Sequence, residues 1–105
     1  ISGIDFSLLT QTTYRNGACT AELPTVRAKV AWAGPLNIAS EWQKSQKLTD
    51  IPVKYTLPGP MTIIGTLYND FYKSEHELGA DLASIINYHV RALVDVGCKH
   101  IQIDE

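Results

Sequence analysis

Cysteine is scarce in this sequence, and so is clustered positive charge. The 105 residues hold two cysteines, Cys19 and Cys98, too few and too far apart for a disulfide framework or a CxxC metal site. Both read as ordinary reduced thiols of the kind that usually sits buried. His76, His89 and His100 show no metal-ligand spacing with one another or with the cysteines. Nine Lys and Arg against eleven Asp and Glu leave a net charge of -2 and a pI near 5.9. The cations are scattered, which argues against nucleic acid as the main partner. Long apolar runs are missing as well. Stretches such as Met61 to Ile64 fall far short of the ~20 residues of a spanning helix, so no membrane partner is implied and a cytoplasmic location is the default expectation.

What is present is a globular composition, 45% hydrophobic and 19% charged, enough for one core and inconsistent with disorder. The sequence opens on Ile1 without a methionine and stops on Glu105 directly after a strand pattern, so residues 1–105 are expected to be a partial domain, a piece of a longer protein.

Ile1 to Leu9 reads as a short strand before a polar stretch, and Asn16-Gly17 is a strong tight-turn signal. Thr25 to Trp32 alternates apolar and cationic residues at period two, as a half-exposed strand does. A hairpin across Asn16-Gly17 follows. Gly34-Pro35 breaks the second strand, and Asn37 can cap a short helix with Ile38 and Trp42 on one face. Pro52 ends that region, because the residue before a proline is pushed out of the helical range.

Val53 to Leu57 is the next strand, closed by Pro58-Gly59-Pro60. Pro60 suits a first helical turn, and Ile63, Ile64, Leu67, Tyr68 and Phe71 recur at helical steps. Ser74-Glu75-His76-Glu77 matches a capping box. It opens the clearest helix of the chain, with Leu78, Leu82, Ile85, Ile86, Val90, Leu93 and Val94 as one stripe and Gly97 as a left-handed cap. His76 and His89 are expected on its surface, His89 nearer the edge of the stripe. Residues 53–105 therefore form a βαβ unit, in which two parallel strands lie side by side.

Ligands of such units bind at the carboxyl ends of the strands, where loops vary on a rigid frame. Pro58-Gly59-Pro60 and Asp104-Glu105 both occupy such ends and should line one site. Alternation sends Ile101 and Ile103 toward covering helices and His100, Gln102 and Asp104 to the other face. A polar row on the inner face fits a barrel lumen better than a doubly wound sheet. Asp104 would then suit an ammonium group or a proton transfer, while Glu105 should point away or into the following loop. Carboxylates at strand ends also cap neighbouring helix N-termini. Gly59 admits two readings as well, as part of a strand terminator or as a place where a ligand approaches the backbone closely. His100, at the start of the strand, reads as structural.

At Leu57-Pro58-Gly59-Pro60-Met61-Thr62, and again from Gly97 to Glu105, the sequence resembles the cobalamin-independent methionine synthase family and its shorter relatives. Asp81-Leu82-Ala83, Asn87 and Arg91-Ala92-Leu93 between them resemble that family's connecting helix, whereas the first fifty residues match loosely. The resemblance implies an α/β fold, part of a (β/α)8 TIM barrel with covering helices, shared with uroporphyrinogen decarboxylase. It implies an enzyme that carries out zinc-dependent transfer of a methyl or other alkyl group to a thiol, as in methionine biosynthesis, with a small-molecule thiol and a methyl donor as partners. In that family the acidic residue matching Asp104 helps hold the amino group of homocysteine. Gln102, Glu105 and Gly59 are candidate substrate-binding residues beside it, and no catalytic residue is assigned. The zinc ligands are expected beyond Glu105, so none is assigned either. A decarboxylase-like or corrinoid-linked enzyme on the same barrel, or a non-catalytic α/β domain, are the competing readings.

Overall fold

The computed structural model of the chain describes residues 1–14, 19–32 and 37–105. The turn predicted at Asn16-Gly17 and the break at Gly34-Pro35 lie outside these residues. Two long strands, β1 (Ser2–Tyr14) and β2 (Cys19–Ala31), pair antiparallel up to Tyr14 opposite Cys19. The strand pairing expected of a hairpin is therefore present on both sides of residues 15–18. It is longer than anticipated because the threonines of Thr10 to Tyr14, β-branched and good strand formers, pair with Cys19 to Leu23 rather than forming a loop. The period-two alternation of β2 also breaks: Val26 and Val30 are buried while Ala28 is exposed. Pairing jumps between Ser2–Ala31 and Ile4–Val26, and a bulge of this kind resets which face each side chain takes.

Helix α1 (Ile38–Gln46) starts as predicted, with Asn37 Oδ1 accepting from the Ser40 amide at 3.0 Å. Ile38, Ala39 and Trp42 are its buried face, and Trp42 Nε1 donates to the Val53 carbonyl at 2.9 Å. Strand β3 (Tyr55–Pro58) and helix α2 (Pro60–Ile64) follow. The helix predicted to run on through Phe71 stops here instead. Gly65 caps it, and Tyr68–Asn69 turns into a short strand, β4, parallel to β2 at Thr25 and Val26. Asn69 then makes its own turn, its Oδ1 accepting from the Phe71 and Tyr72 amides. A glycine followed by an Asn that satisfies nearby backbone groups outweighs the helical spacing of the apolar residues.

Helix α3 (Glu75–Asp95) has the predicted N-cap, with Ser74 Oγ accepting from the Glu77 amide at 3.2 Å. Its end is a complete Schellman arrangement: the Gly97 amide donates to Val94 O, the Cys98 amide to Leu93 O, and Gly97 takes φ 97°. Strand β5 (Ile101–Asp104) closes the unit, parallel to β3 in the register Tyr55–Ile101, Thr56–Gln102, Leu57–Ile103, Pro58–Asp104.

Helix α3 is the keel of the molecule. Leu78, Leu82 and Ile85 pack on Val26 and Val30 of the hairpin and Ile64 of α2. Two turns further on, Leu93 packs with Ile38, Trp42, Leu57 and Cys98 beneath the β3–β5 pair. His89 lies between the two clusters and is 6% exposed, not on the surface as its sequence position suggested, because Trp32 stacks edge-on against it at 4.3 Å. Among the described residues the strands form two separate sheets, β1-β2-β4 and β3-β5. This is a mixed α/β architecture with parallel and antiparallel pairs, a part of a barrel-like fold rather than a closed barrel.

Candidate functional site

The parallel register of β3 and β5 brings the two sequence motifs together. Pro58 lies opposite Asp104, and the Gly59 amide donates to the Asp104 carbonyl at 2.6 Å. The ladder thus continues one residue past a proline that could not have donated itself. Gly59 is the N-cap of α2, with an extended backbone at φ -80°, ψ 167° and no side chain to satisfy the helix start. That task falls to Glu105. Its Oε2 accepts from the Thr62 amide at 3.0 Å and lies 3.3 Å from Thr62 Oγ1, which also reaches the Asp104 carbonyl at 3.2 Å.

Gly59 is buried, and the space a Cβ would take is filled by the Glu105 carboxyl group and, at 2.9 Å, its Cγ. The group that approaches the Gly59 backbone closely is the chain's own Glu105. The carboxylate lies over the first turn of α2, where unpaired N–H groups and the helix dipole favour negative charge.

Asp104 stands apart from this. Its side chain shares a face with Gln102 and Lys54: Gln102 Nε2 donates to Asp104 Oδ1 at 2.5 Å, and Lys54 Nζ donates to Gln102 Oε1 at 2.7 Å. All three side chains are exposed. Ile101 on the opposite face packs beside Leu57, Leu93 and Cys98, as alternation requires, whereas Ile103, expected under the helices as well, is 44% exposed. His100 is at the far end of β5, exposed, and contributes its carbonyl to the Tyr55 amide at 3.0 Å and to Cys98 Sγ at 3.5 Å.

Two participants were not singled out from sequence. Lys54 shares a face with Thr56 by simple alternation, and the parallel register would have pointed it toward Gln102 once known. Thr62 lies inside the recognised motif without a chemical reason to be chosen until Glu105 is seen on its amide.

Among the described residues no three His, Cys, Asp or Glu side chains converge in a way that could hold a metal. Cys98 is 4% exposed in the core and hydrogen-bonded to a carbonyl. The described residues therefore do not form a zinc seat by themselves.

Residues 1–105 match the family described as the catalytic domain of cobalamin-independent synthase. The chain belongs to the cobalamin-independent synthase family. Methionine synthase of Sulfolobus acidocaldarius is 37% identical over 87 residues, a match covering 78% of this chain and 24% of that protein. Methionine synthase of Sulfurisphaera tokodaii is 40% identical over 83 residues, with 78% and 24% covered. The B12-independent methionine synthase of Shewanella sp. W3-18-1, solved in complex with selenomethionine, is 36% identical with a TM-score of 0.83 over 99% of this chain and 30% of that one. The chain thus spans about a quarter of the length of the curated relatives it matches. The synthase family match extends over the first fifty residues too, where the sequence motifs were weakest. No helix among the described residues is long and apolar enough to cross a membrane.

Proposed function

We propose that this chain is part of the substrate wall of a zinc-dependent enzyme that transfers a methyl group to a small-molecule thiol, with homocysteine as the acceptor and methionine as the product. The observation that carries the reading is the position of Asp104. In a chain that matches the cobalamin-independent synthase catalytic domain throughout its length, this carboxylate stands at the carboxyl end of β5, opposite Pro58, on the exposed polar face. Strand ends of this type are where parallel α/β folds place their ligands. An exposed carboxylate held on a rigid strand is suited to an ammonium group.

The division of labour within the acidic pair supports the same reading. Glu105 is engaged on the Thr62 amide, which secures the loop after β3 to the end of β5. Asp104 gives its carbonyl to that scaffold and keeps its carboxylate on the open face. The chain's own residues thus bind and orient; the zinc ligands of the proposed enzyme lie beyond Glu105. The complete protein, purified and analysed for metal, should contain zinc and methylate homocysteine, and should lose that activity on chelation. A complete protein that transfers no methyl group to homocysteine, or does so undiminished once its metal is removed, would overturn the proposal.

A further inference from the structure

We propose that Gln102 and Lys54 are positioning residues for Asp104, and that together they decide which carboxylate oxygen receives the substrate's ammonium group. The inference deepens the function proposed above and rests on its reading of Asp104. Lys54 Nζ, Gln102 Oε1, Gln102 Nε2 and Asp104 Oδ1 form one continuous line of hydrogen bonds, 2.7 Å and 2.5 Å at its two steps. An ammonium has only donors and an ionised carboxylate only acceptors, so the amide between them can satisfy both in one orientation alone. Turning it over would set donor against donor at Lys54 and oxygen against oxygen at Asp104.

The sheet builds this line. Thr56 pairs with Gln102 and Pro58 with Asp104, and Lys54 precedes Thr56 by two residues, so all three polar side chains emerge on one face. Gln102 and Asp104 are likewise two apart on β5. With Oδ1 taken by the amide, Oδ2 is the oxygen that no donor reaches among the described residues, and it is the one the line leaves for a ligand.

Stability does not account for the arrangement. Hydrogen bonds between exposed side chains contribute little to folding, because water replaces either partner. Their effect belongs to binding, where a carboxylate already held in one rotamer loses less freedom when it engages a cation.

The experiment is calorimetric binding to the full-length protein of two probes, homocysteine and 4-mercaptobutanoate, which keeps the thiol and carboxylate but lacks the ammonium. Gln102→Leu is expected to weaken homocysteine about tenfold and leave 4-mercaptobutanoate unchanged. Lys54→Met should act in the same direction by a smaller factor, with Lys54→Arg restoring affinity. In an Asp104→Asn background Gln102→Leu should have no further effect. Equal weakening of both probes by Gln102→Leu would show a merely structural role and overturn the inference. So would unchanged homocysteine affinity in Gln102→Leu when Asp104→Asn loses it, a result that leaves the reading of Asp104 standing. Unchanged homocysteine binding in Asp104→Asn itself would remove both.

Discussion

Thr62 and Glu105 meet across 43 residues of chain, the amide of the first donating to the carboxylate of the second at 3.0 Å. With the Gly59 amide and the Thr62 hydroxyl on the Asp104 carbonyl, this contact couples the start of α2 to the end of β5, and the place of Glu105 leaves no room for a side chain at position 59. A Cβ there would overlap the Glu105 carboxyl group.

Gly59→Ala should therefore act through Glu105. The new methyl displaces the carboxylate from the Thr62 amide, and the loss of a cap of this kind costs about 1 kcal/mol. Glu105→Ala should destabilise by a similar amount, and the double variant by little more than either alone, since the same interaction is removed. Urea denaturation of the full-length protein measures all three. Full additivity would show that Gly59 is required for some other reason.

The acidic pair should separate in binding. Asp104→Asn removes the charge proposed to meet an ammonium and should weaken homocysteine by more than tenfold, because hydrogen bonds to charged groups contribute about 1.5–3 kcal/mol. Glu105→Gln retains an acceptor for the Thr62 amide and should change affinity by less than about threefold. Equal affinities for both variants and the parent protein, measured by calorimetry, would refute the assignment.

Folding is expected to be sensitive to mild acid through His89. Burial holds its pKa below the ordinary 6.5, and its Nε2 is buried without a hydrogen-bond partner among the described residues. The folded protein thus binds the proton less readily than the unfolded chain. Stability from this group is present above pH 6.5 and is lost as pH falls below it, with a slope of at most about 1.4 kcal/mol per pH unit. His89→Phe, which keeps a ring against Trp32, should flatten the dependence of the urea midpoint between pH 7.5 and 5.5. An unchanged slope in that variant would assign the acid sensitivity elsewhere.

Tyr72 ties the hairpin to the keel helix. Its hydroxyl donates to Asp81 Oδ2 at 2.5 Å and accepts from the Val30 amide at 2.9 Å. Burial, and then the hydrogen bond to Asp81, raise its pKa above the ordinary 10.0. A raised phenol contributes stability that is complete below pH 10 and fades as pH rises through the folded-state value. Tyr72→Phe strands the Val30 amide and should cost about 1–3 kcal/mol. Thermal unfolding at neutral pH tests the loss, and a Tm within one degree of the parent would contradict it.

Much of the second half of the fold was legible from local signals. Ser74 and Gly97 bracket α3 because caps are decided by a few adjacent residues, and the structure has both. Alternation along β5 put Gln102 and Asp104 on one face because side chains on a strand must alternate. The extension of α2 through Phe71 failed for a different reason. Apolar spacing cannot register that Tyr68 and Asn69 have a strand edge of β2 within reach, and pairing with it competes with another helical turn. His89 was misplaced similarly, since its burial comes from Trp32, which is distant in sequence.

The sequence by itself determined that two carboxylates end a strand, that a Pro-Gly-Pro turn ends its partner, and that the strands belong side by side. Local propensities and alternation are enough for that. Where the Glu105 carboxylate goes was decided only by the tertiary structure. Position 105 could have projected into a following loop; instead the first turn of α2 comes close enough, through the register of β3 against β5, for the Thr62 amide to hold the Glu105 carboxylate. The same register aligns Lys54, Gln102 and Asp104 in one line of hydrogen bonds. Both outcomes depend on distances between residues more than forty positions apart, and no local pattern encodes them.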